Sequence, residues 1–300
     1  MPGAFDRFTD PGLAGRIIGR IRELHRKIPG SNPVPLMEVC GTHSHLLGKS
    51  GIRDLLADVV EYRSGPGCPV CVTALNDLDA LIDFSLRENI ILVIFGDLLK
   101  VPGTRGSLQE QKARGARIKL VYSILDVLEL ARQNRNAEVV FVGAGFETTA
   151  PGTALLIKEA RAAALKNLSV FSLHKLMPPV LRQLLGSGRS DIRGLILPGH
   201  VAAVTGRRVF DFIASELGCP AVVAGFEPLD VLHATALLLE MAAGRSPAVI
   251  NGYPRVVSET GNTAALAAIN GVFTPVEANW RGFGCIEGSG LGIKEEYSEF

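Results

Sequence analysis

Short runs rich in β-branched and aliphatic residues alternate with longer stretches of helical spacing along most of this 300-residue chain, and that alternation leaves few folds open. The runs read as strands over 34–40, 58–63, 90–95, 117–122, 138–143, 168–173, 194–197 and 220–224. Between them, 74–86, 106–116, 150–164, 177–186 and 229–242 place apolar residues every three or four positions, the spacing of a helix with one buried face. Such repetition predicts parallel sheets covered on both faces, because a parallel crossover needs a dozen or more residues and lays its helix on the sheet. The expected fold is therefore α/β: two Rossmann-like units with mainly parallel sheets flanked by helices, and an active cleft between them. The polar break Arg132-Gln133-Asn134-Arg135-Asn136 places a boundary near 131, giving a first domain over 1–131 and a second over 132–300, with four strands each. Beyond Pro247 the rhythm fades into Gly-rich and polar turns, so the tail is expected to wrap the second domain without adding much sheet.

Charge and apolar length narrow the function classes. Lys plus Arg total 31 against 30 Asp plus Glu, which leaves no field suited to nucleic acid or an anionic membrane. The longest apolar run, Ile90-Ile91-Leu92-Val93-Ile94-Phe95, is far short of the ~18 residues of a spanning helix and reads as a core strand. The N-terminal stretch holds Asp6, Arg7, Asp10 and Pro11 and no apolar region ahead of a small-residue cleavage site, so the expected location is the cytoplasm. Five cysteines are too few for a secreted disulfide framework; in a reducing compartment a C-x-x-C pair is more often reactive or metal-bound than structural.

Three of those cysteines fall in two Gly-rich turns, each directly after a strand: Cys40 in Met37-Glu38-Val39-Cys40-Gly41-Thr42-His43, and Cys68 and Cys71 in Gly65-Pro66-Gly67-Cys68-Pro69-Val70-Cys71. If the turns lie side by side at one end of a sheet, three sulfurs and one or two imidazoles converge. The Cys68/Cys71 turn precedes a helix expected to begin near Thr73 or Ala74, where backbone N–H groups and the helix dipole favour a thiolate. Its spacing suits a small disulfide ring or a shared metal; redox or metal chemistry, structural zinc and buried inert thiols all remain open. Gly41 and Thr42 are small enough for a ligand to approach the backbone. His43 follows Cys40 at a spacing compatible with one metal, against the reading in which Thr42 caps a helix and His43 and His45 decorate its first turn. For His45 the decorative reading is preferred.

The remaining candidates are weaker on residues alone. His200, in Pro198-Gly199-His200-Val201, ends a strand and either reaches a cleft or serves as a hydrogen-bonded core histidine. Cys219 and Cys285 have no spaced partner and receive no role. Gly143-Ala144-Gly145 lacks the downstream pattern of a phosphate loop. Gly-Phe-Glu occurs twice just past a strand, at Gly145-Phe146-Glu147 and Gly225-Phe226-Glu227, a faint internal echo with both turns expected to face one cleft.

Taken together these motifs resemble hydrogenase maturation proteins of the HypD type. The likeness runs through the two cysteine turns, Phe95-Gly96-Asp97, Val101-Pro102-Gly103, Val121-Tyr122-Ser123, Gly145-Phe146-Glu147-Thr148-Thr149-Ala150-Pro151 and Pro198-Gly199-His200-Val201. Gly225-Phe226-Glu227-Pro228, Arg255-Val256-Val257, Gly261-Asn262 and Trp280-Arg281-Gly282 extend it over roughly residues 33 to 297. The resemblance implies a scaffold on which the iron centre of [NiFe] hydrogenase, an Fe(CN)2CO unit, is assembled. It also implies three partners: a small HypC-type chaperone bringing its own N-terminal cysteine, a HypE-type cyanide donor and, indirectly, the hydrogenase large-subunit precursor. Carried over by motif, Cys40 would be the iron ligand, His43 its neighbour and Cys68/Cys71 the redox dithiol, which also stand as candidate metal ligands. Gly41, Thr42, Gly67 and Pro69 would line the cofactor, and Glu147, Thr148 and His200 would join the dithiol as catalytic candidates. Thiolates suit a soft low-spin iron, and a nearby dithiol can supply electrons.

The same resemblance implies a cysteine-rich C-terminal domain holding a [4Fe-4S] cluster beyond the equivalent of Glu295-Glu296-Tyr297. Cys285 is the only thiol after Cys219, so four cluster ligands are absent, and the ending is expected to reflect truncation or a natural short form. Two other readings compete with the scaffold: a thiol–disulfide oxidoreductase using Cys68/Cys71, and a module in which Cys40, His43, Cys68 and Cys71 close around a structural zinc.

Overall fold

A computed structural model of the chain describes residues 10–30, 33–186, 191–244 and 246–300. Asp6 and Arg7 lie outside the described residues. In chain order come α1 (Pro11–His25), β1 (Val34–Glu38), α2 (Gly41–Lys49), α3 (Ile52–Leu55), β2 (Val60–Ser64), α4 (Leu75–Ser85) and β3 (Ile90–Ile94). The short antiparallel pair β4 (Pro102–Gly103) and β5 (Gly106–Ser107) follows, then α5 (Leu108–Ala113), β6 (Ile118–Leu120), α6 (Ile124–Gln133), β7 (Glu138–Gly145), α7 (Ala150–Ala162) and β8 (Leu168–His174). The last third holds α8 (Met177–Gly186), β9 (Gly194–Pro198), α9 (Gly199–Thr205), α10 (Phe212–Ser215), β10 (Ala221–Ala224), α11 (Pro228–Ala242), β11 (Val249–Asn251), α12 (Thr263–Val272) and the hairpin β12 (Phe273–Trp280) and β13 (Gly284–Ile293).

The fold is α/β, with two parallel sheets flanked by helices. One sheet has the order β11-β10-β9-β1-β2, the other β6-β3-β7-β8. Every residue of β3, β9 and β10 is buried, as expected where helices cover both faces, which is why these strands read as unbroken apolar runs. All eight expected strands form, but they divide differently from the expected break near 131. The chain groups into one compact unit of Met1–Cys68 with Leu181–Thr263 and another of Pro69–Val180 with Ala264–Phe300. The polar break after 131 is only the connection from α6 to β7, both in the second unit. Strand periodicity says that a run is a strand; it does not say which sheet it joins, and here β9 returns to pair with β1.

In the first unit Leu36, Ile196 and Val222 from the sheet pack with Ile21 and Leu24 of α1 and with Leu232, Leu238 and Leu239 of α11. The α1 helix starts sharply at Asp10, whose carboxylate accepts from Gly12 and Leu13 N–H groups at 2.7 and 3.1 Å, with Pro11 in the first turn. In the second unit Leu92, Ile94, Val140 and Val142 pack against Leu78, Leu81 and Ile82 of α4. Among the described residues no helix is long and apolar enough to cross a membrane.

The tail departs from expectation. Residues 249–251 add a fifth strand to the first sheet, and 273–293 form a long antiparallel hairpin with a register shift between Val276 and Ala278. The four glycines of β13, at 284, 288, 290 and 292, and the run of exposed positions in β12 mask it in the sequence, because glycine is depleted in strands unless the backbone needs it.

Candidate functional site

In a parallel sheet all carboxyl ends lie on one edge, and ligands of open α/β sheets collect there at the topological switch point. In the first unit β1 leads to Cys40, β2 to the Gly65–Cys68 turn, β9 to Gly199-His200 and β10 to Gly225-Phe226. The chain leaves β1 toward β2 on one side and resumes at β9 on the other, so the switch point falls between β1 and β9.

Cys40 is itself the N-cap of α2, with an extended backbone (φ −154°, ψ 122°), a place the sequence had offered to Thr42. Its thiol is free and largely buried, at 7% exposure. The Cys40 N–H donates to Glu38 Oε2 at 3.2 Å, while the Ser44 hydroxyl donates to the other carboxylate oxygen and lies 3.2 Å from Ser64 Oγ. Glu38, 1% exposed, thus ties the end of β1 to the first turn of α2 and the end of β2; burial holds its carboxyl above the usual range. Glu38 belongs to the Cys40 motif, but its sequence position does not specify this role. The available signal was a carboxylate at the end of a strand otherwise expected to be buried.

The two cysteine turns lie side by side, as expected. Gly41 N–H donates to Gly67 O at 3.1 Å, and Gly65 N–H to Glu38 O at 2.8 Å. Gly67 backs onto Val39 and Cys40 so closely that a Cβ would collide with the Cys40 backbone, and a Cβ on Gly41 would stand 3.7 Å from Cys68 Cβ. Cys68 and Cys71 are disulfide-bonded, with Cys71 the more exposed. The helix expected at Thr73 or Ala74 begins at Leu75, beyond an intervening turn in which Pro69 O accepts from Thr73 Oγ1 at 2.9 Å. The cysteine seated at a helix N-terminus is therefore Cys40. Thr42 is exposed at the start of the same helix.

His43 is fully buried in the first turn of α2. Its Nε2 lies 2.9 Å from the Gly225 carbonyl, which only accepts, so Nε2 carries the hydrogen and Nδ1 presents a lone pair. That Nδ1 has no hydrogen-bond partner. Burial pushes the imidazole down to about 4, so the ring is neutral near pH 7. Phe226 stacks on His43 at 4.8 Å between centroids and on His200 at 3.7 Å. At those separations two imidazoles cannot share one phenyl face without overlapping, so Phe226 stands between them. His200 is exposed at the outer side of this sandwich and its basicity is lowered by partial burial. His45 is exposed on α2. The sandwich was not legible in sequence, because it depends on β10 and β9 being neighbours.

In the second unit Glu147 follows β7, at the switch point between β3 and β7. Gly145 adopts a positive φ of 150°, and a Cβ there would collide with Thr149. Glu147 Oε1 accepts from Met177 N–H, the first residue of α8, at 2.8 Å; Oε2 is buried with no partner. Burial pushes this carboxyl up to about 7. Thr148 is exposed. Cys219 is buried, which pushes its thiol up to about 11, and Cys285 is exposed with its thiol donating to Glu277 Oε2 at 3.5 Å.

Among the described residues no group of three or more His, Cys, Asp or Glu side chains stands close enough to hold a metal. Of the three free thiols among the described residues, at Cys40, Cys219 and Cys285, that of Cys40 shares a single helical turn with a buried imidazole nitrogen that has no hydrogen-bond partner, His43 Nδ1. This donor set suits a soft metal centre that brings other ligands with it better than a closed four-ligand zinc.

Comparison with known proteins agrees with these motifs. Residues 13–300 match the HypD family model, described as the hydrogenase formation hypA family. The chain is 44% identical over 293 residues to the hydrogenase maturation factor HypD of Rhodobacter capsulatus, covering 97% of this chain and 78% of that protein. It is 40% identical over 298 residues to the HypD of Escherichia coli K12 (98% and 80%) and 38% over 303 residues to that of Cupriavidus necator (98% and 79%). The chain belongs to the HypD family.

Proposed function

We propose that this chain serves hydrogenase maturation as the scaffold on which an iron centre carrying two cyanides and one carbon monoxide is assembled. Cys40 is its iron ligand, and Cys68/Cys71 is a dithiol that takes up and returns two electrons. The observation that carries this reading is the apposition of the two cysteine turns through Gly67, which brings a free thiol at a helix N-terminus beside a disulfide. A cysteine binds metal as its thiolate.

Each surrounding residue has a definite task. Glu38 and Ser44 lock the turn so that the Cys40 sulfur keeps one position. Gly41, Thr42, Gly67 and Pro69 are the residues that line the cofactor, Gly67 by letting the two cysteine turns close on each other and Gly41 by keeping the space beside Cys68 free of a side chain. His43, neutral and held through Nε2, offers Nδ1 as a buried acceptor or ligand. Opening the Cys68–Cys71 bond consumes two electrons and two protons and yields two thiols; closing it returns them. Glu147, Thr148 and His200 are the proposed proton-handling groups. Because Cys40 alone does not complete a coordination shell, a HypC-type chaperone is the partner that supplies a second cysteine, a HypE-type protein supplies cyanide, and the large-subunit precursor receives the product.

Iron content of the complex co-purified with a HypC-type partner tests the assignment. Cys40→Ala should retain less than about a tenth of the wild-type iron while the far-ultraviolet circular dichroism stays unchanged. Undiminished iron would remove Cys40 from the site. A thiol–disulfide oxidoreductase remains the second reading, favoured by the exposure of Cys71; it predicts disulfide exchange that is indifferent to Cys40.

A further inference from the structure

The Trp280-Arg281-Gly282 turn lies more than 200 residues after the cysteine turns, yet within the second unit it is built against the segment that leaves Cys71. Thr73 and Trp280 form an antiparallel bridge. Arg281 N–H donates to Val72 O at 2.8 Å, and Arg281 Nε donates to Thr73 O at 3.1 Å. These two carbonyls belong to the first and second residues after Cys71. Thr73 in turn holds the Pro69 carbonyl through Oγ1, so one chain of hydrogen bonds runs from Arg281 into the C-x-x-C turn. Arg281 Nη2 is buried and has no hydrogen-bond partner.

The clamp is rigid. Trp280 is 2% exposed, its Nε1 donates to Ser289 Oγ at 2.8 Å, and the Phe146 ring stacks on it at 6.0 Å. Lys175, also buried, donates from Nζ to Asn279 O at 2.8 Å and lies 5.4 Å from the indole centroid. A guanidinium fixed in this way is held at one place and does not sweep a volume, which is the condition for a side chain to tune a neighbour.

We propose that Arg281 is the positioning residue of the Cys68/Cys71 dithiol, bracing the carbonyls of Val72 and Thr73 and biasing the pair toward its reduced form. The inference rests on the redox reading of that pair. The bias follows from charge: a reduced sulfur, with its thiolate character, accepts a hydrogen bond from a cationic donor more strongly than a disulfide sulfur does, and Arg281 Nη2, buried on a guanidinium that is fixed beside that turn, has no partner. An external dithiol is the reductant; its two thiols become a disulfide as the Cys68–Cys71 bond becomes two thiols, so atoms and electrons balance.

Equilibration of the full chain against graded ratios of reduced and oxidised dithiothreitol, read by mass-shift alkylation, tests this. Arg281→Gln should shift the equilibrium constant at least tenfold toward the disulfide, about 30 mV for a two-electron couple. Arg281→Lys keeps the charge and the stem but loses the planar fork, and should shift it in the same direction by at least threefold; it carries the test if the Gln variant does not fold. Equilibrium constants within twofold of wild type in the folded variants, or shifts toward the dithiol, overturn the proposal alone. A wild-type disulfide that no dithiol ratio opens overturns the redox reading and this proposal with it.

Discussion

At the scale of single residues the chain sets oppositely perturbed groups in one unit. Glu147 is buried with one orphaned oxygen and has its carboxyl pushed up to about 7; His174, hydrogen-bonded to Thr153 at 2.9 Å, is pushed down to about 4 by burial. The raised carboxyl means that the folded state holds a proton more tightly than the unfolded chain. Its stabilising contribution is complete below about 4.5 and is lost as pH rises through 7. The lowered imidazole works the other way, with stability complete above 6.5 and lost as pH falls toward 4. The two windows overlap and partly cancel. Glu147→Gln keeps an acceptor for Met177 and abolishes the first effect, so the variant should gain stability over wild type between pH 4.5 and 7.5, reaching about 3 kcal/mol. Urea titrations followed by Trp280, the sole tryptophan and a core residue of the same unit, measure this directly. A difference that stays constant across that range would show that Glu147 does not titrate as its burial requires.

At the scale of elements the site depends on two turns sharing backbone. Gly67 is the point of closest approach, and an added Cβ meets main-chain atoms of Cys40 rather than a side chain that can swing away. Gly67→Ala is therefore expected to cost more than about 2 kcal/mol by forced backbone displacement, and to lower iron retention although all cysteines remain. Retained stability together with wild-type iron would mean that the two turns are not held by this contact. The position of the turns was legible in sequence, since β1 and β2 are short runs with alternate residues buried, each leading directly into a Gly-containing cysteine turn. What Glu38 does was not legible, because a strand-end carboxylate says nothing about folding back onto Cys40 and Ser44. Nor was the Arg281 clamp, whose hairpin carries glycine at alternate positions and so lacks the alternation that marks a strand.

At the scale of the whole molecule the two sheets repeat one topology. Numbering the strands of each sheet in order of appearance, both run 2-1-3-4, with β11 adding a fifth to the first. This is the doubly wound order whose switch point lies between the first and third strands. The alternation in the sequence specified that class of fold, but the interruption of the first unit by the second was invisible, because pairing of β9 with β1 is a long-range choice that local pattern does not encode. The Gly-Phe-Glu echo likewise misled: one copy follows the third strand of its sheet and the other the fourth, so the copies are not equivalent positions of a duplicated unit. Within this frame the Cys40 thiol, the buried imidazole and the disulfide turn all emerge at the carboxyl edge of one sheet, where Cys40 is the proposed ligand of an iron centre with cyanide and carbonyl ligands. Infrared spectroscopy of the chain co-purified anaerobically with a HypC-type partner, in the cyanide and carbonyl stretching region, tests it most directly. Cyanide and carbonyl bands are expected in the wild-type complex and none with Cys40→Ala; bands of equal strength in both, or none in an iron-loaded wild-type complex, would remove Cys40 as the ligand.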